Sequence, residues 1–159
     1  MAITIRRAVP SDTAVIADFN LRLAEETELL RLDPATVGAG VATLLADTAQ
    51  GLYFIAEVDG TVAGQLMITY EWSDWRNGNL WWIQSVYVEP RLRGAGVFRA
   101  LFNHVRDLAN AEPHVTGLRL YMDAHNSGAR RTYERLGLKR TNYEVFEMTL
   151  PKRTDAGVE

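Results

Sequence analysis

Apolar positions along the chain change period several times, and each change marks an element. Residues 3–8 alternate well enough for a first strand. Pro10, Ser11 and Asp12 then supply a break and a helix start, and Ile16, Phe19 and Leu23 recur on one face of a first helix expected to run to about residue 30. Pro34 opens a second helix through Val37, Val41 and Leu45, weakened by Gly38 and Gly40. A strand over 51–58, an Asp59-Gly60 turn and a partner strand over 61–72 read as a hairpin. After a loop over 73–79, the apolar, β-branched and aromatic run over 81–88 gives a central strand. Trp81 and Trp82 point to opposite faces of it, so at least one belongs to the core. A turn over 91–96 leads into a helix with Val97, Leu101, Val105 and Leu108 in step. Pro113 breaks that pattern, a strand over 116–122 follows, then a short helix from Asn126 and a final strand over 141–150. In that last strand Tyr143 and Val145, with Glu147, alternate against Glu144 and Phe146. The order β, α, α, β, β, β, α, β, α, β implies an α/β fold with a mixed sheet and helices on both faces.

Composition narrows the class without changing that picture. The 159 residues, 47% hydrophobic and 23% charged, suit one soluble domain over residues 3–150, with a polar, frayed end over 151–159. A net charge of −3 argues against a nucleic-acid surface, although a basic patch at the 91–96 turn survives that average. The absence of cysteine excludes a disulfide frame, a thiol nucleophile and a zinc thiolate site, and agrees with a cytoplasmic home. No signal-peptide core or membrane-length apolar run is present. His104, His114 and His125 lack metal-ligand spacing, so no metal is expected, and no Ser-His-Asp set can be argued.

Candidate chemistry concentrates where the central strand meets the turn and helix. A helix starting there aims unpaired N–H groups and the positive end of its dipole at whatever lies over the turn. Gly94 and Gly96 let an anion approach the main chain, and Arg91 and Arg93 add positive charge. A dinucleotide fingerprint fails because its third glycine position is Arg99, and no G-K-[S/T] occurs for a P-loop. What remains is R-x-x-G-x-G over 91–96, directly after V-Y-V. This resembles the acyl-CoA-binding motif of the GNAT superfamily of N-acyltransferases, Q/R-x-x-G-x-G/A at the same junction. Downstream, Asn126, Ala129, Tyr133 and Gly137-Leu138 resemble that family's second signature, N-x-x-A-x-x-x-Y followed by a glycine helix end.

The resemblance covers nearly the whole chain and implies a central, mostly antiparallel mixed sheet that splays at the central strand, near Val88 and Leu120, to admit acyl-CoA. The implied cofactor contacts are Val86, Tyr87 and Val88 on the strand, Arg91, Arg93, Gly94, Ala95, Gly96, Val97 and Phe98 at the turn, and Asn126 and Tyr133 downstream. Phe98 departs from the small residue usual in the family, and either alters the fit at the diphosphate or turns into the core.

The implied reaction moves an acetyl group from acetyl-CoA to a primary amine, on a small molecule, peptide or protein, by direct attack in a ternary complex. A homodimer is expected by the same analogy, and the rival is a non-catalytic acyl-CoA-sensing module. The amine, with a pKa near ~10, must shed a proton before attack. In the resemblance a backbone N–H around Tyr87 and Val88 meets the oxyanion, and Tyr133 is the general acid; the other role for Tyr133 is a core aromatic. Where some relatives carry a strand glutamate, this chain has Gln84 and Ser85. Glu71, Glu25 and Glu26 are the remaining base candidates, unless no dedicated base exists. Glu25, Glu26 and Glu28, with Trp72, Asp74, Trp75 and Gln84, are candidates to frame a cationic acceptor.

Overall fold

A computed structural model describes residues 1–151, and its contacts divide the chain into two units, one ending at Leu120 and one beginning at Tyr121. The first contains β1 (Ile3–Arg7), α1 (Thr13–Glu28), α2 (Pro34–Ala46), β2 (Leu52–Val58), β3 (Thr61–Ser73), β4 (Gly78–Val88), α3 (Val97–Ala111) and β5 (Val115–Arg119). The second contains α4 (Ser127–Arg135). The sheet is mixed: β1 to β4 run antiparallel in chain order, and β5 joins the β4 edge parallel to it after the α3 crossover. Among the described residues no helix is long and apolar enough to cross a membrane.

Helices cover both faces because the middle strands are apolar on both. On β2, Tyr53 and Ile55 pack with Ile16 of α1 and Val41 of α2, whereas Phe54 points the other way, its ring 5.3 Å from that of His104 on α3. Helix α3 buries Val97, Leu101, Phe102, Val105 and Ala109, the stripe its sequence predicts, except that Leu108 is exposed. Helix α1 stops where Leu29 turns left-handed at φ +55°, and α2 starts from an Asp33 cap that accepts the Thr36 N–H at 3.0 Å, with Pro34 in the first turn.

Three expectations are corrected. The loop over 73–79 is mostly hairpin, because left-handed Asn77 closes a tight turn and β4 begins at Gly78. A Cβ at Gly78 would lie 2.6 Å from the His114 carbonyl, which accepts the Asn79 N–H. The strand expected over 116–122 runs Val115–Arg119 instead. Residues 141–150 form no strand; Tyr143 and Val145 are odd-numbered but Phe146 and Met148 even, so no single face is apolar, and all four are exposed. Of the expected tail, residues 152–159 lie outside the described residues.

One ion pair ties the first strand to the entry of α1. Arg6 donates to both carboxylate oxygens of Asp12, at 2.8 and 2.9 Å, and to Glu57 at 2.7 Å, while the Val9 N–H also meets Asp12 at 2.8 Å. Asp12 is buried, and the Arg6 hydrogen bonds hold its carboxyl below the ordinary aspartate range despite that burial. A depressed folded-state pKa adds stability above the unfolded value near ~3.9, lost as pH falls through the folded value. Asp12→Asn is therefore expected to cost about 1.5–3 kcal/mol at neutral pH, the value of a charged hydrogen bond, and to lose part of the acid dependence below pH ~4. Urea titrations at neutral and acid pH measure both.

Candidate active site

The site grows from an irregularity in β4. Gln65 pairs with Tyr87 and Met67 with Gln84, so two steps on β3 face three on β4, and the extra residue falls at Ser85 and Val86. Ser85 is left-handed, at φ +49°. Fully buried Gln65 braces the bulge, donating to the Ser85 carbonyl at 3.1 Å and to the Asn20 side chain at 2.8 Å. Before the bulge, β4 is laddered to β5 from Asn79 to Trp82; from Ile83 to Val88 that ladder does not continue. The splay expected near Val88 and Leu120 would begin where this ladder ends. The Glu89 N–H bonds the Ala63 carbonyl at 2.9 Å, so strand alternation turns the Val88 N–H and C=O to the open edge. Arg93 Nε caps that carbonyl at 3.0 Å, leaving the N–H for another acceptor. Gly64 lies opposite, where a Cβ would stand 2.8 Å from the Tyr87 carbonyl, so glycine permits the close strand approach.

Beyond the strand, Gly94 and Gly96 are both left-handed, at φ +79° and +90°, and among the described residues nothing beyond their chain neighbours lies within 4 Å of where either Cβ would be. No side chain caps α3, whose first backbone bond runs from Ala100 N to Gly96 O. The turn thus offers N–H donors, a positive dipole end, exposed Arg91 and Arg93, and open space above two glycines. A diphosphate fits this cradle. Phe98 is half-buried, its ring 6.2 Å from that of Phe102 one helical turn on.

Charged groups bind α1 to the strand end and turn. Glu26 accepts from Arg93 Nη2 at 2.6 Å and from the Tyr87 hydroxyl at 2.8 Å. Arg22 pairs with Glu89 and Asp18, and its guanidinium and that of Arg93 both lie over the Tyr87 ring. The Arg93 hydrogen bond, then that of Tyr87, holds the Glu26 carboxyl below its ordinary range, which makes it a weaker base. Burial, then the Glu26 contact, pushes the Tyr87 phenol up.

Several sequence candidates lie elsewhere. Glu71 sits opposite Leu80 and pairs with Arg119 at 2.7 Å; Trp72 sits opposite Asn79, and exposed Trp75 is in the following turn. Antiparallel pairing puts the end of β3 beside the start of β4, and at ~3.3 Å per residue Leu80 is roughly 26 Å from Val88. Glu71, Trp72 and Trp75 thus stand at the far end of the β3–β4 pair from Val88. Gln84 is committed to Thr69 at 2.6 Å, and Glu25 is exposed on α1. Among the described residues, no group of three or more His, Asp or Glu is arranged to hold a metal ion.

In the second unit, the Asn126 side chain caps α4 by accepting the Ala129 N–H at 3.0 Å, and left-handed Gly137 closes the helix as the Leu138 N–H returns to the Tyr133 carbonyl. Tyr133 is half-buried, and burial raises its phenol, which keeps its proton at neutral pH.

The sequence reading missed a cavity of about 370 Å³ in the first unit, between α1, α2 and the sheet, with Asn20, Tyr53 and Ser85 among its lining residues. Its signal was Asn20, a polar residue on the apolar Ile16–Leu23 face of α1.

Comparison with known proteins adds three findings. The model of the acetyltransferase (GNAT) family matches residues 21–138. The structure of a possible acetyltransferase from Clostridium difficile 630 is 42% identical, with a TM-score of 0.88, covering 94% of this chain and 99% of that one. Two more distant structures share the fold. One, a "predicted acetyltransferase with acetyl-CoA" from Clostridium acetobutylicum, is 19% identical with a TM-score of 0.75 and covers 96% of this chain and 99% of that one. The other, glucosamine-6-phosphate N-acetyltransferase from Arabidopsis thaliana, is 16% identical with a TM-score of 0.70 and covers 93% and 99%. No curated protein matches the chain.

Proposed function

Because the chain belongs to the acetyltransferase (GNAT) family, we propose that it transfers an acetyl group from acetyl-CoA to a primary amine by direct attack in a ternary complex, residues 3–150 acting as one domain. The observation that carries this reading is the pair of left-handed glycines at the uncapped start of α3, beside a strand edge open from Ile83 to Val88.

Bound acetyl-CoA would supply an acetyl group whose C–S bond breaks as the amine's N–C bond forms. The main chain from Gly94 to Phe98, with Arg91 and Arg93, would hold the diphosphate, and Val86 and Val88 would line the acyl arm. The Val88 N–H would donate to the thioester oxygen as negative charge grows there, a contribution of about 3–4 kcal/mol for one such donor. By the family resemblance Tyr133, which keeps its proton, would deliver it to the departing sulfur, with Asn126 fixing the start of its helix, and the proton shed by the attacking nitrogen would pass to water or back to the phenolate. No carboxylate base is assigned: Glu26 is engaged by Arg93 and Tyr87, and an amine moved out of water has its own pKa lowered.

A second reading, a non-catalytic acyl-CoA-binding module, draws on that same engagement of Glu26. Calorimetry with acetyl-CoA, followed by thiol release over a panel of amines, separates the two. Binding with release for at least one amine is expected. Binding without any release would favour the second reading, and no binding would sink both.

A further inference from the structure

We infer that the acceptor is a primary amine on a small, uncharged, apolar body, seated in the cavity between α1, α2 and the sheet. The inference rests on the acetyltransferase reading and names its substrate class. At about 370 Å³ the cavity is at the small end of ligand sites, which suits a compact molecule rather than a folded partner. Its walls are hydrocarbon, from Leu23, Leu32, Val41, Leu44 and Met67. None of its lining residues is Lys or Arg, so the lining offers no cation to a phosphate or carboxylate on the acceptor. Glu28 is the one charged lining residue, and it is exposed on the last turn of α1.

The polar groups sit together against the sheet. Asn20 donates to the Tyr53 hydroxyl at 3.0 Å and accepts from Gln65, and Gln65 also holds the Ser85 carbonyl. Burial raises the Tyr53 phenol, so its oxygen stays neutral and hydrogen-bonding rather than anionic. Gln65 Oε1 is buried with no partner among the described residues, which leaves an unused acceptor behind this floor. Such a floor is polar but uncharged, and the carboxylate of Glu28 stands apart from it on the last turn of α1. Ser85 is also the bulge residue that immediately precedes Val86 to Val88, so this floor is built in part by the residue adjoining the strand segment assigned to the thioester.

Helix α2 provides the test. Gly40 lines the cavity on the same helical face as Val37, Val41 and Leu44, and a Cβ there meets nothing within 4 Å. Gly40→Phe adds a side chain whose Cβ starts in open space, at an exposed helical position where most residues outrank glycine, so the fold is expected to be kept. Binding of hexylamine and phenethylamine to the native protein is followed by NMR line broadening and calorimetry without acetyl-CoA, and thiol release is then read with hexylamine, alanine and glucosamine 6-phosphate. Saturable binding of the two apolar amines, weakened at least ~10-fold in Gly40→Phe while acetyl-CoA affinity is kept, is expected. So is thiol release favouring hexylamine over the two charged acceptors. No apolar amine binding, or binding indifferent to Gly40→Phe, would overturn the inference even if another amine were acetylated. Binding lost in Gly40→Phe, but with no thiol release from any amine, would keep the cavity assignment and strike the acetyltransferase reading instead.

Discussion

Gly94→Val is expected to remove acetyl-CoA binding while leaving a folded protein. At φ +79° a β-branched residue is strained by about 1–3 kcal/mol, but among the described residues nothing beyond the chain neighbours lies within 4 Å of the new Cβ. The side chain therefore projects into the space where a diphosphate would meet the turn. Losing two charge-assisted backbone hydrogen bonds, at about 1.5–3 kcal/mol each, corresponds to a dissociation constant raised roughly 100-fold or more. Strain alone is controlled by Gly60→Val in the β2–β3 turn, where φ is +80° and the space is equally empty. The two variants should melt a few degrees below the native protein, but only the first should fail to bind in calorimetry. Equal loss in both, or tight binding in both, would remove the turn as the cofactor seat.

Tyr133→Phe is expected to lower turnover by about 100-fold or more, within the range for a general acid, with acetyl-CoA affinity changed less than about 3-fold. The phenol is raised by burial, so the acid form persists to higher pH than for an exposed tyrosine. The alkaline fall in turnover of the native protein should therefore come only at far alkaline pH, and that limb should vanish in the variant. A structural tyrosine would give a different result, with lowered stability and weaker binding but an unchanged pH profile. Stopped-time thiol assays across pH, run beside thermal melts, distinguish the two.

What the sequence disclosed was whatever a local pattern controls. The hairpin around Asp59-Gly60, the buried stripe of α3 and the left-handed glycines at 94, 96 and 137 follow from residue type and spacing alone. The bulge at Ser85 did not, because it exists only in the register between β3 and β4 and no glycine announces it. The distance of Glu71, Trp72 and Trp75 from Val88 was hidden for a related reason, since it follows from antiparallel pairing and not from their place in the sequence. The cavity needed two helices and three strands to close it, so only Asn20, out of place on an apolar face, hinted at it.

Helix α1 has a consequence for how two ligands would share the molecule. Asn20, Leu23 and Ala24 face the cavity, while Arg22 and Glu26 reach Glu89 and Arg93 at the turn. A diphosphate drawing Arg93 from Glu26 would slacken a strut of the helix that walls the other chamber, and a guest in that chamber would brace the same strut. Whatever factor the first occupant imposes on the second must be returned in full, since coupling free energy is reciprocal. Two sites resting on one helix would then be filled on terms that each sets for the other.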